Sequence, residues 1–532
     1  MTQRNSMAVL FCLCSAALIS GCGSSHSDPA GIASGSVSSV GGENTNPSTG
    51  GNGPTTGGLG SSATGSTSTV GSASSTSTGA TNTSGGQAMT AAGGSTSATG
   101  GKSPATGGTS TAPTGGTTAT GGTGSAGSTA CSTIPALTPS TTCTWGDPNA
   151  SPCIVPTHVV NSGTAMCARF TDQQVRCWGQ DTNGELGDGT TKTAYTTITN
   201  PGAFKAELAI NLTNVAQLAA GNSFTCALLT DGTVSCWGMN NSAQIGTGAF
   251  SSNVSTPTPV AGLSGVTSIT SGMEHTCALK SDGTVWCWGE ASNGQIGDGV
   301  GHSLTSTQPG VSTWVGTPTQ AVGVSNATEI YAGSYHTCAL ISDGTMLCWG
   351  DDTHEQLGDV TLTGTMTFTP LVVHGVSGVA HLATKSASNR TCVIYTDGTA
   401  ACWGDNTSCA FGTTTSTTSS KTPVAIPGLS GITSLIQAEK NTCALKSDGT
   451  YVCWGDNTSG QLGTESTAST GCTKVTACGI PSVTSLVTGG TACAILTNGV
   501  LACWGYDMQG LVGQGAGSKT PRLIPLPVIG SL

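Results

Sequence analysis

The sequence predicts an all-β chain closed into a seven-bladed propeller, standing behind a long N-terminal tether without a fold of its own. Three observations lead there. The triplet Cys-Trp-Gly returns seven times, at Trp178, Trp237, Trp288, Trp349, Trp403, Trp454 and Trp504, with successive copies 50 to 61 residues apart, which is the length of a propeller blade. Each copy holds two short apolar segments around a tight turn, as in "TCALKSDGTVWCW" from Thr276 to Trp288. That is a hairpin pattern. Residues 23–130, by contrast, are almost entirely Gly, Ser, Thr and Ala, and nothing there buries enough apolar surface to offset the entropy of ordering.

The N-terminus reads as an address. After Arg4 comes the apolar run "MAVLFCLCSAALIS", too short to span a bilayer comfortably and too early to belong to a core. It ends in Ile19-Ser20-Gly21-Cys22, which resembles the lipobox of bacterial lipoproteins. The resemblance implies a signal peptide over 1–21, cleavage before Cys22, a diacylglycerol on its thiol and a further acyl chain, such as palmitate, on its amino group. Gly23 stands where an inner-membrane retention aspartate would sit. The implied location is the cell envelope, at the outer membrane or cell surface. Residues 22–130 then form a disordered tether with a reach of about 60 Å. Residues 131–154, with Cys131, Cys143 and Cys153 and the stretch "CTWGDPN", read as an N-terminal cap.

Residues 155–532 carry the repeats. Ten residues before the cysteine of each triplet lies another, giving Cys167/Cys177, Cys226/Cys236, Cys277/Cys287, Cys338/Cys348, Cys392/Cys402, Cys443/Cys453 and Cys493/Cys503. A three-residue loop centred on Asp282 sets Lys280 opposite Thr284 and so Cys277 opposite Cys287, at a non-hydrogen-bonded pair where strands come closest. Each pair therefore reads as a disulfide, stabilising its hairpin by about 2.7 kcal/mol at most. Zinc is disfavoured, because no C-x-x-C or recurring histidine accompanies the cysteines. In the first unit Asp172-Gln173 replaces Asp-Gly, so its turn is expected to be built differently. Cys409, Cys472 and Cys478 lie in loops, and their pairing with Cys131, Cys143 and Cys153 is left open.

Nine residues after each tryptophan is a glycine, from Gly187 to Gly513, always preceded by an apolar residue. A tryptophan fixed beside a glycine in every unit reads as a wedge between blades. Alanine or valine follows the first cysteine, as at Ala278 and Val393, where adjacent sheets approach. An apolar, proline-bearing segment precedes six of the repeats, and a surplus copy, "TPRLIPLPVIGSL", follows the last from Thr520. Because open propellers expose two sheet edges, this C-terminal strand is expected to pair near Val159–Val160 and close the ring.

The repeat, seen as "YAGSYHTCALISDGTMLCWG" from Tyr331 to Gly350, resembles that of the regulator of chromosome condensation family. The resemblance covers about residue 155 to the C-terminus and implies seven four-stranded blades. His275 and His336 hold the family's frequent histidine position, with Phe224, Asn389 and Asn441 near it in other units. The eukaryotic namesake exchanges guanine nucleotide on a nuclear GTPase and binds nucleosomes, whereas secreted bacterial members that inhibit an enzyme are nearer in setting.

The formal charge of -11 lies wholly in residues 131–532, which argues against nucleic acid as a partner. No nucleophile motif, metal motif or cofactor fingerprint appears, and no catalytic, metal or cofactor residue is assigned. Asp188, Asp298, Asp351, Asp352, Asp405 and Asp456 read as solvated turn caps. The expected function is a monomeric, surface-tethered, non-enzymatic binding module, adhesive or inhibitor-like, recognising a protein or glycan through loops of one propeller face. A propeller glycoside hydrolase is the alternative, and nucleotide exchange a remoter one.

Overall fold

The computed structural model describes residues 154–192, 206–302, 313–362, 364–383, 388–413, 417–469, 471–515 and 517–528, together with Leu137. The signal peptide, Cys22, the tether and nearly all of the cap, including Cys131, Cys143 and Cys153, lie outside the described residues.

The described chain forms seven four-stranded antiparallel sheets, each built from four consecutive strands. Blade three is representative, with strands Val266–Ser271, His275–Lys280, Val285–Glu290 and Trp314–Gln320. Thr407–Cys409 is the one helical turn among the described residues. In every blade two cysteines face each other across the second and third strands. In blades one to four Cys167 is joined to Cys177, Cys226 to Cys236, Cys277 to Cys287 and Cys338 to Cys348. In blades five to seven Cys392 is joined to Cys402, Cys443 to Cys453 and Cys493 to Cys503. The Cα atoms of each pair stand 4.0 or 4.1 Å apart. Cys409 is joined to Cys472, tying the blade-five loop to the fourth strand of blade six, and Cys478 is disulfide-bonded as well.

The core lies between blades rather than within them. Cys226 and Cys236 of blade two pack with Ala278 and Trp288 of blade three, and the same pattern recurs around the ring. The alanine is there because a larger side chain would hold two sheets apart, and the tryptophan because it fills the wider gap beyond it. All seven tryptophans are fully buried. Six donate through Nε1 to a carbonyl of the preceding blade at 2.8–3.0 Å, as Trp349 does to Gln295. The recurrent glycine belongs to this joint. Gly297 has φ of +76°, and a Cβ there would stand 2.6 Å from Nε1 of Trp349, so both backbone and space demand glycine.

Two expectations are corrected. The C-terminal strand Arg522–Pro527 does not complete blade one. It is the fourth strand of blade seven, with Leu526 opposite Cys503, while blade one takes Glu207–Leu208 as its own fourth strand. The proline-bearing segment closes blades two to five and seven instead of opening the next blade, so the surplus copy is no surplus. The ring shuts through an ordinary interblade joint, in which Ala168 and Trp178 pack on Cys493, Cys503 and Val512 and Trp178 Nε1 donates to Leu511 O at 2.9 Å. The turn of the first unit, second, has the same form as the others. Gln173 takes the left-handed conformation, φ 59°, and Asp172 Oδ1 accepts from Gln174 N at 3.1 Å, so the Asx bond holds the turn without glycine.

Candidate functional site

The first strands line an axial cavity of about 380 Å³, with His158, Gln217, Ser268, Glu329, His381 and Thr433 among its lining residues. Glu329 is held there by His381 Nδ1 at 2.6 Å and by Leu382 N at 2.8 Å. His158 is neutral, its pKa lowered to about 4 by burial and then by Arg169.

At one end of this channel stand the turns between first and second strands and the connections between third and fourth. We call it the loop end; the Asp-Gly hairpins occupy the other. A hoop of backbone hydrogen bonds runs around the loop-end mouth across blades one to five. Ser223 N donates to Ser162 O, Asn222 N to Met273 O, Met273 N to Ser334 O and Ser334 N to Ser388 O, at 2.8–3.1 Å.

The hoop then changes character. From blade five to six it is Arg390 that bridges, donating from Nη2 to Ala438 O at 2.8 Å and also to Glu439 O. From six to seven, Asn441 donates to Gly489 O at 3.0 Å and accepts from Thr488 Oγ1 at 3.0 Å. From seven to one, Asn161 donates to Thr491 O at 3.0 Å. Side chains are longer than a backbone bond, and a second cavity of about 400 Å³ opens at this mouth, bordered by Asn161, Gly163, Lys440, Asp456, Gly490 and Tyr506. Gly163 of blade one and Gly489 and Gly490 of blade seven also border it, as do the exposed Glu439 and Lys440.

The paired cysteines singled out in the sequence line neither cavity. Cys177, Cys348, Cys402 and Cys453 sit on third strands, bonded to Cys167, Cys338, Cys392 and Cys443 on second strands, and all eight are buried. The pairs of blades two, three and seven are buried in the same way. They belong to the interblade core, where a disulfide counts as apolar bulk, and none of them touches the candidate site.

Sequence reasoning located the histidine position but missed its bridging role. His275 and His336 are fully buried, each bonded through Nε2 to a threonine of the next blade, Thr337 at 3.0 Å and Thr391 at 2.9 Å. Each ring lies over a glycine three residues earlier, where a Cβ at Gly272 would come within 2.1 Å of His275 Cε1. That contact explains the Gly-x-x-His spacing. In blade five the place belongs to Arg390, which pairs with Gly404 as His275 pairs with Gly289, and not to Asn389. Arg390 is fully buried, and burial lowers its pKa to about 10.

The loop carboxylates are also corrected. Asp351, Asp352 and Asp405 are buried rather than solvated. Asp352 Oδ1 accepts from Leu357 N at 2.9 Å. Asp181, Asn240, Asn406, Asn457 and Asp507 make the equivalent bond in their blades, so these groups shape the loops from within. Burial raises Asp181 and Asp352 to about 6. Residues 193–205 and 303–312, in the connections between third and fourth strands of blades one and three, lie outside the described residues.

Residues 116–490 match the RCC1-like domain. Among curated proteins the chain is 26% identical over 263 residues to human HERC2, an E3 ubiquitin-protein ligase, covering 48% of this chain and 5% of that one. It is 31% identical over 156 residues to pim1 of Schizosaccharomyces pombe, covering 28% and 29%. Over 302 residues it is 25% identical to the ultraviolet-B receptor UVR8 of Arabidopsis thaliana, covering 54% and 62%. The match spans less than two thirds of each relative. Among solved structures it is similar to Prp20p from Saccharomyces cerevisiae, with a TM-score of 0.54, 18% identity and coverage of 67% and 85%. It is also similar to human WBSCR16, with 0.53, 18%, 67% and 94%. At these identities the likeness is one of fold.

Proposed function

The chain belongs to the RCC1-like domain family, and from that premise we propose that it is a lipid-anchored envelope protein whose propeller binds a protein partner at its loop end. The observation that carries this reading is the interrupted hoop. Seven nearly equivalent blades would give a symmetric mouth, yet blades five, six, seven and one meet through Arg390, Asn441 and Asn161, beside a cavity with mixed polar walls. A rigid ring that presents variable loops and one open pocket suits recognition. Prp20p, of the same fold, is described with its binding to Gsp1p and histones, which supports protein binding as a use of this architecture. The acidic charge of the domain favours a partner other than nucleic acid.

Enzymatic turnover is not part of this reading. His275 and His336 are held in interblade bonds through Nε2, and among the described residues no three His, Cys, Asp or Glu side chains gather as metal ligands would. Cys22 and the Ser/Thr-rich tether would hold the propeller at a distance from the membrane.

Photo-crosslinking in intact cells tests the binding half. A crosslinker at Tyr506 should yield a protein adduct, whereas one at Asp343, on the hairpin end, should not. Adducts at Asp343 alone would overturn the choice of face. For the anchor, Cys22→Ser should abolish fatty-acid labelling and release the chain from membranes; persistent labelling of that variant would count against it.

A further inference from the structure

A cluster of polar side chains stands on the loop end between blades three and four, and none of them borders the mouth pocket. Glu274 and Tyr335 occupy the first-to-second-strand turns of these blades, and Glu290 and Asp351 end their third strands. Backbone bonds fix both pairs, Glu290 N donating to Glu274 O at 2.8 Å and Asp351 N to Tyr335 O at 2.9 Å. From blade two, Ser242 Oγ donates to Glu274 Oε2 at 2.8 Å. Burial, and then the carboxylates of Glu274, Glu290 and Asp351, push the Tyr335 phenol up. Burial and the nearby Glu274 likewise raise Glu290. Among the described residues no lysine or arginine pairs with any of the three acids.

An independent feature sits beneath them. Gln295 is fully buried, its Oε1 accepts from Asn293 N at 3.0 Å, and its Nε2 has no partner. The equivalent amides of Gln356 and Gln461 donate to Asp351 and Asp456 at 2.5 and 3.0 Å, the residues at the position Glu290 holds. Glu290 instead turns to Ser292 N and Oγ. By its equivalents the Gln295 amide points to the side of Glu290, yet it has no acceptor there, and an unsatisfied buried donor is costly.

We infer that this cluster receives an arginine side chain of the protein partner, with Glu274 and Glu290 facing the guanidinium, Asp351 being held by Thr353 and Gln356, and Gln295 Nε2 donating to a carbonyl oxygen of the same peptide. The ligand must bring several donors to separated carboxylates and one acceptor to an amide. A planar guanidinium with its own peptide carbonyl offers both. A compact divalent ion fits worse, since no three acidic groups close on one point among the described residues. The inference rests on the protein-binding reading and names the chemistry of one contact within it.

The test uses the full chain and a fluorescent nonapeptide carrying three arginines spaced by glycines, followed by anisotropy. Saturable binding is expected, weakened about tenfold or more by Glu274→Gln/Glu290→Gln, because two charge-assisted contacts are lost. Asp282→Asn/Asp343→Asn on the hairpin end removes as much charge and should leave binding intact. The same peptide with citrulline in place of arginine should not bind. Equal weakening by both double variants, or displacement of the peptide by equimolar calcium, would overturn the inference. So would a partner that crosslinks through Tyr506 and binds the Glu274→Gln/Glu290→Gln chain unchanged, although that result would leave the protein-binding reading standing.

Discussion

Replacing Trp349 with alanine is expected to destabilise the propeller by about 3–5 kcal/mol, the cost of emptying a fully buried aromatic site. The gap cannot collapse easily. One wall is Gly297, whose backbone already sits against the indole, and another is the Cys277–Cys287 pair with Leu279 and Val285. A phenylalanine series separates volume from hydrogen bonding. Trp349 donates to Gln295 O at 3.0 Å, whereas Nε1 of Trp403 has no partner. Trp349→Phe should therefore cost about 1 kcal/mol more than Trp403→Phe. Urea denaturation followed by far-ultraviolet circular dichroism reads both, and equal costs would remove the hydrogen bond from the account.

Much of this joint is legible in the sequence, since the tryptophan, the glycine nine residues on and the alanine after the first cysteine each recur in phase. A side chain that repeats seven times does a job that repeats seven times, which is to fill one interblade gap. Phase is what repetition hides. A period of some fifty residues looks the same wherever the cut between blades is placed, so the segment from Thr520 reads equally as the end of blade seven or the start of blade one. Only the pairing of Leu526 with Cys503 decides.

The candidate site was hidden for a different reason. It arises where the repeat fails, at Asn161, Arg390 and Asn441; the first two look like ordinary surface polar residues, and Asn441, though near the histidine position, gives no sign of its reach into the next blade. Their burial follows from the close approach of neighbouring blades at the mouth, which no single repeat reveals. Asp352 misleads in the same way, because its backbone acceptor role draws a carboxylate inward that composition would place in water.

The stability of the folded ring should fall as the pH drops from about 6.5 toward 3, and the buried histidines set the sign. Burial holds His275 and His336 at about 3, far below an ordinary imidazole. The unfolded chain therefore binds protons that the folded chain refuses. Their contribution is complete above pH 6.5 and is lost as the pH descends through that window. At pH 4.5 each histidine costs about 2–3 kcal/mol by this linkage. Asp181 and Asp352 act oppositely, because burial raises them to about 6. They take up protons more readily when folded, so they add stability between pH 6 and 4 and soften the decline. Asn441 supplies the diagnostic substitution, since it fills the histidine position of blade six and reaches blade seven through an amide that does not titrate. His275→Asn is expected to lose packing over Gly272, and with it some stability at pH 7.5, yet to lose about 2–3 kcal/mol less than the parent on passing to pH 4.5. Denaturation midpoints at the two pH values measure that difference directly. Parallel declines in parent and variant would show that His275 is protonated in the fold without penalty, and would move the acid sensitivity to other groups.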